Sequence, residues 1–156
     1  MAFKFKMQKV LEYREQLEEE AKVRFASAQA NLQKCREQLI QLVAQLNEAE
    51  TKGASEVMQS AERWLHDQYL KGLRADHKAM SLQERMLAQM MEEARQHLAA
   101  CAIDRKTMEK LKERQKIQYL RAEQKQELNF NDEIATIRHK ASPVEADSVP
   151  AGSGVS

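Results

Sequence analysis

Proline is missing from residues 1–142, and the chain holds only two, Pro143 and Pro150. Nothing in that long stretch therefore forces a helix to kink or stop for want of a backbone N–H. Glycine is almost as scarce, at Gly53, Gly72, Gly152 and Gly154. Aromatic residues make up 5% of the 156 positions while charged ones make up 31%, which excludes a compact domain of this length with a filled interior. No apolar run approaches the roughly 20 residues of a membrane span, and the start lacks the apolar core of a secretory signal, so a cytoplasmic protein is expected. A Gly-rich phosphate loop, a His-Glu-x-x-His pair and a Gly-x-Ser-x-Gly elbow are all absent. The expectation is a protein that is not an enzyme and carries no cofactor. His97 and Cys101, four apart on one helix face, amount to half of a metal site, and packing is the reading taken for them.

What is present is helix-forming periodicity. Ala, Leu, Met, Gln, Glu, Lys and Arg dominate, and the apolar residues recur at regular helical spacing. In the first 50 residues, Phe3, Met7, Val10, Arg14, Leu17, Ala21, Phe25, Ala28, Leu32, Cys35, Leu39, Leu42, Leu46 and Ala49 follow at spacings of three and four, the seam of a coiled coil. Two fours in a row at Leu17, Ala21 and Phe25 read as a stutter. After a break at Thr51-Lys52-Gly53-Ala54-Ser55 a second seam runs through Met58, Ala61, Leu65, Tyr69, Leu73, Asp76, Met80, Gln83, Leu87, Met91, Ala94, Leu98, Cys101, Arg105 and Met108.

Folding the chain at Gly53 pairs these two series so that facing residue numbers sum to 107 or 108. Leu42 then faces Leu65, Cys35 faces Leu73, Leu17 faces Met91 and Phe3 faces Arg105. No layer is polar on both sides, and the stutter in one arm meets the double four at Gln83, Leu87 and Met91. Cys35 and Cys101 fall in layers roughly 40 Å apart, too far for a disulfide, and are expected as buried thiols. In this reading Gly53 ends the first helix in a left-handed conformation and Ser55 caps the second. Gly72, in a helix interior, reads as a tolerated weak point, with a close approach as the alternative.

The expected fold class is all-α: a long two-helix antiparallel coiled-coil hairpin with the second helix overhanging and a disordered C-terminal tail. Its parts are a first helix over 1–50, a turn over 51–55, the paired part of the second helix over 56–108, an unpaired helical extension over 109–140 and the tail over 141–156. Past Met108 the seam weakens, because Leu111, Ile117, Leu120, Leu128, Phe130, Ile134 and Ile137 fit no single stripe. The positive charge gathers here as well: residues 105–140 carry ten Lys or Arg against six Asp or Glu, in a chain whose net charge is +1. A lone helix of this length is marginal in water, so the extension reads as a surface for a partner. Glu109, Glu113, Glu123 and Glu127 interleave with the basic residues, which favours a protein over nucleic acid or membrane.

Particular segments resemble a known family. Residues 3–15, FKFKMQKVLEYRE, followed by Glu18, Glu19 and Glu20, resemble the opening of the FliJ family of bacterial flagellar export proteins. Residues 113–135, ERQKIQYLRAEQKQELNFNDEIA, are similar to that family's C-terminal segment, which closes on a motif of the type Asp132-Glu133-Ile134-Ala135. Trp64, Tyr69 and Leu73 follow the turn where the family places its interhelical bend. The resemblance spans nearly all of residues 1–140, and the acidic tail has no counterpart in it.

The resemblance implies a non-enzymatic stalk of the flagellar type III export machine, similar to the central stalk of rotary ATP synthases. Such a stalk binds the hexameric export ATPase, couples it to the membrane export gate and handles export chaperones, at the inner face of the cell membrane at the flagellar base. It makes Tyr119, Leu120, Leu128, Asp132, Glu133 and Ile134 candidates for the ATPase contact, and Tyr69, Leu73 and Met80 candidates for the gate contact. Seam packing is the alternative for Tyr69 and Leu73. The isolated chain is expected to be a monomer without nucleic-acid or small-molecule substrate. A general coiled-coil scaffold, with the extension mediating self-association, and a stalk subunit of a related secretion system or rotary ATPase are the competing functions.

Overall fold

A computed structural model describes residues 2–142 and contains two α-helices, α1 (Gln8–Ser55, 48 residues) and α2 (Ser60–Ala141, 82 residues). The chain divides into two compact units, one of Lys6–Lys110 and one of Met1–Phe5 with Leu111–Ser156. The first unit is an antiparallel two-helix hairpin. All of α1 and the first part of α2 pack along one seam, as the heptad spacing requires. The tail expected to be disordered lies, from residue 143, outside the described residues.

The expected turn at 51–55 is helical, and the connection falls at 56–59 instead. Gly53 therefore does not end α1. The helix closes at Glu56, whose extended backbone still donates its N–H to the Lys52 carbonyl at 3.1 Å. Ser55, expected to cap α2, is the last residue of α1 and its hydroxyl turns back to the same carbonyl. Gly53 serves a close approach: a Cβ placed there would stand 2.4 Å from His66 Nε2. Gly72, by contrast, has open space around it. Replacing Gly72 by alanine should accordingly raise stability by about 0.5–1 kcal/mol in dilute solution. Gly53→Ala should forfeit that gain to the His66 ring and regain it in a His66→Ala background, as urea unfolding of the four variants would show.

The moved turn also moves the register. Cys35 Sγ points at the carbonyl of Met80, not at Leu73, and Leu73 clusters with Leu42 and Ala49, with Leu46, Leu70 and Met80 against them. Facing partners now sum to between 115, for Cys35 with Met80, and 124, for Glu50 with Arg74, instead of 107 or 108. Surface ion pairs of Arg36 with Glu84 at 3.0 Å and Arg14 with Asp104 at 3.2 Å agree with the new register. A heptad pattern looks the same after a slip of seven residues, so periodicity alone could not choose between alignments.

Neither stutter exists. In α1 the buried and half-buried positions run unbroken from Leu11 through Arg14, Glu18, Ala21 and Phe25 to Gly53. In α2 they run from His66 through Leu70, Leu73, His77, Met80, Glu84 and Leu87 to Met108. The seam runs through Leu11 and Glu18 where apolar identity points to Val10 and Leu17, and through His77 and Glu84 where the expected series has Asp76 and Gln83. The seam takes Glu18, and Arg105 on α2 donates Nε–H to its carboxylate while donating from Nη1 to Glu109 at 2.8 Å. These hydrogen bonds, to Glu18 foremost, raise the proton affinity of Arg105 above that of an ordinary guanidinium. One layer is thus polar on both sides, contrary to expectation, and it holds the only buried charged residue among those described.

The N-terminal residues depart from the helical expectation too. Residues 2–5 are not helical, and Phe5 is buried. Both cysteines are free and buried, as the seam had predicted.

Candidate protein-binding surfaces

The unit containing Leu111–Ser156 presents the C-terminal part of α2. Here the stretch expected to be bare is partly covered: the Phe3 ring lies against Tyr119, centroids 5.6 Å apart and tilted by 48°. This geometry is that of an attractive aromatic pair. Of the candidates for ATPase contact, Tyr119 is therefore half-buried against the N-terminal segment. Leu120 (45%) and Leu128 (64%) are exposed, Asp132 and Glu133 are exposed, and Ile134 is half-buried.

Two side chains that sequence reasoning left out of the candidate set complete the surface. Phe130 is 61% exposed and Ile137 65%. Phe130, Ile134 and Ile137 stand four and three residues apart and so share one helix face, while Ile117, Leu120 and Leu128 lie on another. The spacing was available in the sequence. These residues continue no seam from upstream, so heptad spacing does not single them out. No buried residue occurs beyond Cys101 among those described, and the buried residue of this unit is Phe5. The Thr136 hydroxyl bonds the Asp132 carbonyl at 2.7 Å, which leaves the Asp132 carboxylate free of that neighbour.

The three candidates for the gate contact separate. Leu73 is 7% exposed and is core, so the packing alternative holds for it. Met80 is half-buried against the same cluster. Tyr69 is 53% exposed and off the seam, whose place Leu70 takes. It lines an open hollow of about 820 Å³ at the base of the hairpin together with Ala49, Val57, Met58, Leu65 and His66. His66 Nε2 is buried there without a hydrogen-bond partner.

The remaining chemistry is that of surface pairs. Arg95 donates to Glu92 at 2.6 and 2.9 Å and holds that carboxyl below the usual carboxylate range. His97 Nε2 stands 3.7 Å from Cys101 Sγ, and among the described residues no three His, Cys, Asp or Glu side chains gather as metal ligands. No helix among the described residues is long and apolar enough to cross a membrane. What the arrangement offers is apolar side chains exposed on helices, which is the material of helix-to-protein contacts.

Comparison with known proteins gives one result of substance. The sequence model of a family described as "Flagellar FliJ protein" matches residues 3–143. No match was found among curated proteins or among solved structures.

Proposed function

Because the chain belongs to the FliJ family, and with it to the components of the flagellar export apparatus, we propose that it is a non-enzymatic coiled-coil stalk whose segment from Leu111 to Ala141 binds the hexameric export ATPase. The observation that carries this reading is the set of apolar side chains, Leu120, Leu128, Phe130 and Ile137, exposed on a basic stretch of α2 that holds no buried residue beyond Cys101 among those described. Exposed apolar groups in such a setting mark a partner surface. Tyr119, paired with Phe3, lies on the same face of α2 as Phe130 and Ile137, and Asp132, Glu133 and Ile134 border it.

Under the same proposal Tyr69 is the residue that meets the membrane export gate, and Leu73 and Met80 hold the helix that presents it. Export chaperones are further clients, and the protein works at the inner face of the membrane at the flagellar base without crossing it. Leu128→Asp and Phe130→Asp test the ATPase contact. Each should weaken ATPase binding at least about tenfold in a titration, the size of effect expected at an interface anchor, while helicity is unchanged. Normal binding by both variants would favour the competing reading, a general scaffold that self-associates through residues 105–140.

A further inference from the structure

The hairpin uses one face of α2, and the opposite face carries a second heptad series that no described residue covers. Leu65, Gly72, Ala79 and Met86 follow one another at intervals of seven, and Gln68, Ala75 and Leu82 form the alternate column. Every one of these residues is exposed, with Leu65, Leu82 and Met86 each at 60% or more. Only Gln68 is polar. Three heptads of such spacing are enough to specify a coiled-coil seam, and this one lies wholly within the Lys6–Lys110 unit. The hairpin's own seam already accounts for Leu73 and Met80, so the second series is not the first one misread.

From this face we infer that the chain forms a parallel, in-register dimer through the outer surface of α2, a second copy being the occupant. One charge pair flanking the strip favours that partner and that direction. Lys71, Lys78 and Arg85 line one edge at intervals of seven, whereas Glu62, Tyr69, Asp76 and Gln83 line the other. None of Lys71, Lys78, Arg85 and Asp76 has an ion-pair partner among the described residues.

In a parallel two-fold pair, an edge residue meets the residue five positions further along the opposite edge of its partner. That places Lys71 opposite Asp76 of the second copy, twice by symmetry, and Trp64 opposite Tyr69. An antiparallel pair would instead set the basic edge against itself. Gly72, Ala75 and Ala79 occupy the middle of the strip, and the space above Gly72 is open. Small side chains there bring the two helix axes to the near end of the usual range of about 8–10 Å. They also bury little area, so the dimer is a weak one. The inference departs from the monomer expected from sequence and does not rest on the ATPase reading, which concerns residues 111–141; Tyr69 lies on the dimer edge, so self-association and the gate contact proposed for that residue compete.

Sedimentation equilibrium of the full chain tests it. The expected result is a monomer–dimer equilibrium that is well populated at about 100 µM. Ala79→Glu, on an exposed position and therefore without loss of helicity, should abolish it. Lys71→Glu and Asp76→Lys should each weaken association about 5- to 10-fold, and an equimolar mixture of the two should associate more tightly than either alone. For direction, Ala75→Cys and Leu82→Cys should each cross-link to itself on oxidation. A monomer throughout this range, a dimer indifferent to Ala79→Glu, or cross-linking only between Ala75→Cys and Leu82→Cys chains would each overturn the proposal. Binding to the ATPase is measured separately and fails or holds on its own.

Discussion

Cutting the chain after Lys110 is expected to leave the hairpin folded and to lower binding to the export ATPase by about two orders of magnitude or more. Every buried residue of the hairpin unit lies at or before Cys101, and its interhelical ion pairs, from Glu50 with Arg74 to Arg14 with Asp104, all fall within Lys6–Lys110. The cut therefore removes no buried residue of that unit. What it does remove is Leu120, Leu128, Phe130 and Ile137 together. Circular dichroism should show a loss of helical signal proportional to the residues removed, with the hairpin's unfolding transition retained. Collapse of that transition would mean that the hairpin needs the rest of α2 to fold. Retained ATPase binding would move the contact to the hairpin itself.

The second large effect concerns the polar layer. Arg105→Leu should lower the melting temperature by several degrees, because it leaves the buried Glu18 carboxylate facing a hydrocarbon side chain. Lys22, 3.9 Å from Glu18 Oε1, is too far and too exposed to replace the lost guanidinium. Adding Glu18→Leu should recover most or all of the loss, since an apolar pair in the seam is at least as stable as a desolvated ion pair. Thermal unfolding of the two single variants and the double variant makes the cycle. Equal and additive losses would show that the two side chains do not act as a pair. Arg105 is partly exposed and also bonded to Glu109, so Glu18→Leu alone should cost less than Arg105→Leu alone.

Much of the hairpin was legible before any coordinates. The absence of proline, the three-and-four spacing and the break near Gly53 give two helices, an antiparallel pairing and the seam places of Leu32, Leu42, Leu73, Ala94 and Cys101, all of which are buried. The outer surface of the second unit was legible only in part. Leu120 and Leu128 were picked out, whereas Phe130 and Ile137 were noted as apolar and then set aside. The register was not legible at all. Leu17 looked like the seam and Glu18 like solvent, because apolar identity is the only guide when the partner is unknown.

Periodicity is a property of a single helix, and it follows from local geometry: residues three and four apart share a face whatever lies opposite. That much the amino-acid order determined, together with the membership of the FliJ family that residues 3–143 carry. Register is a property of two helices, and one heptad of slip leaves every apolar column facing another. Only the tertiary structure could decide it, by setting His66 over the missing Cβ of Gly53 and Arg105 beside Glu18. Such contacts join residues far apart in the chain, and they have no signature in the spacing of either helix taken alone.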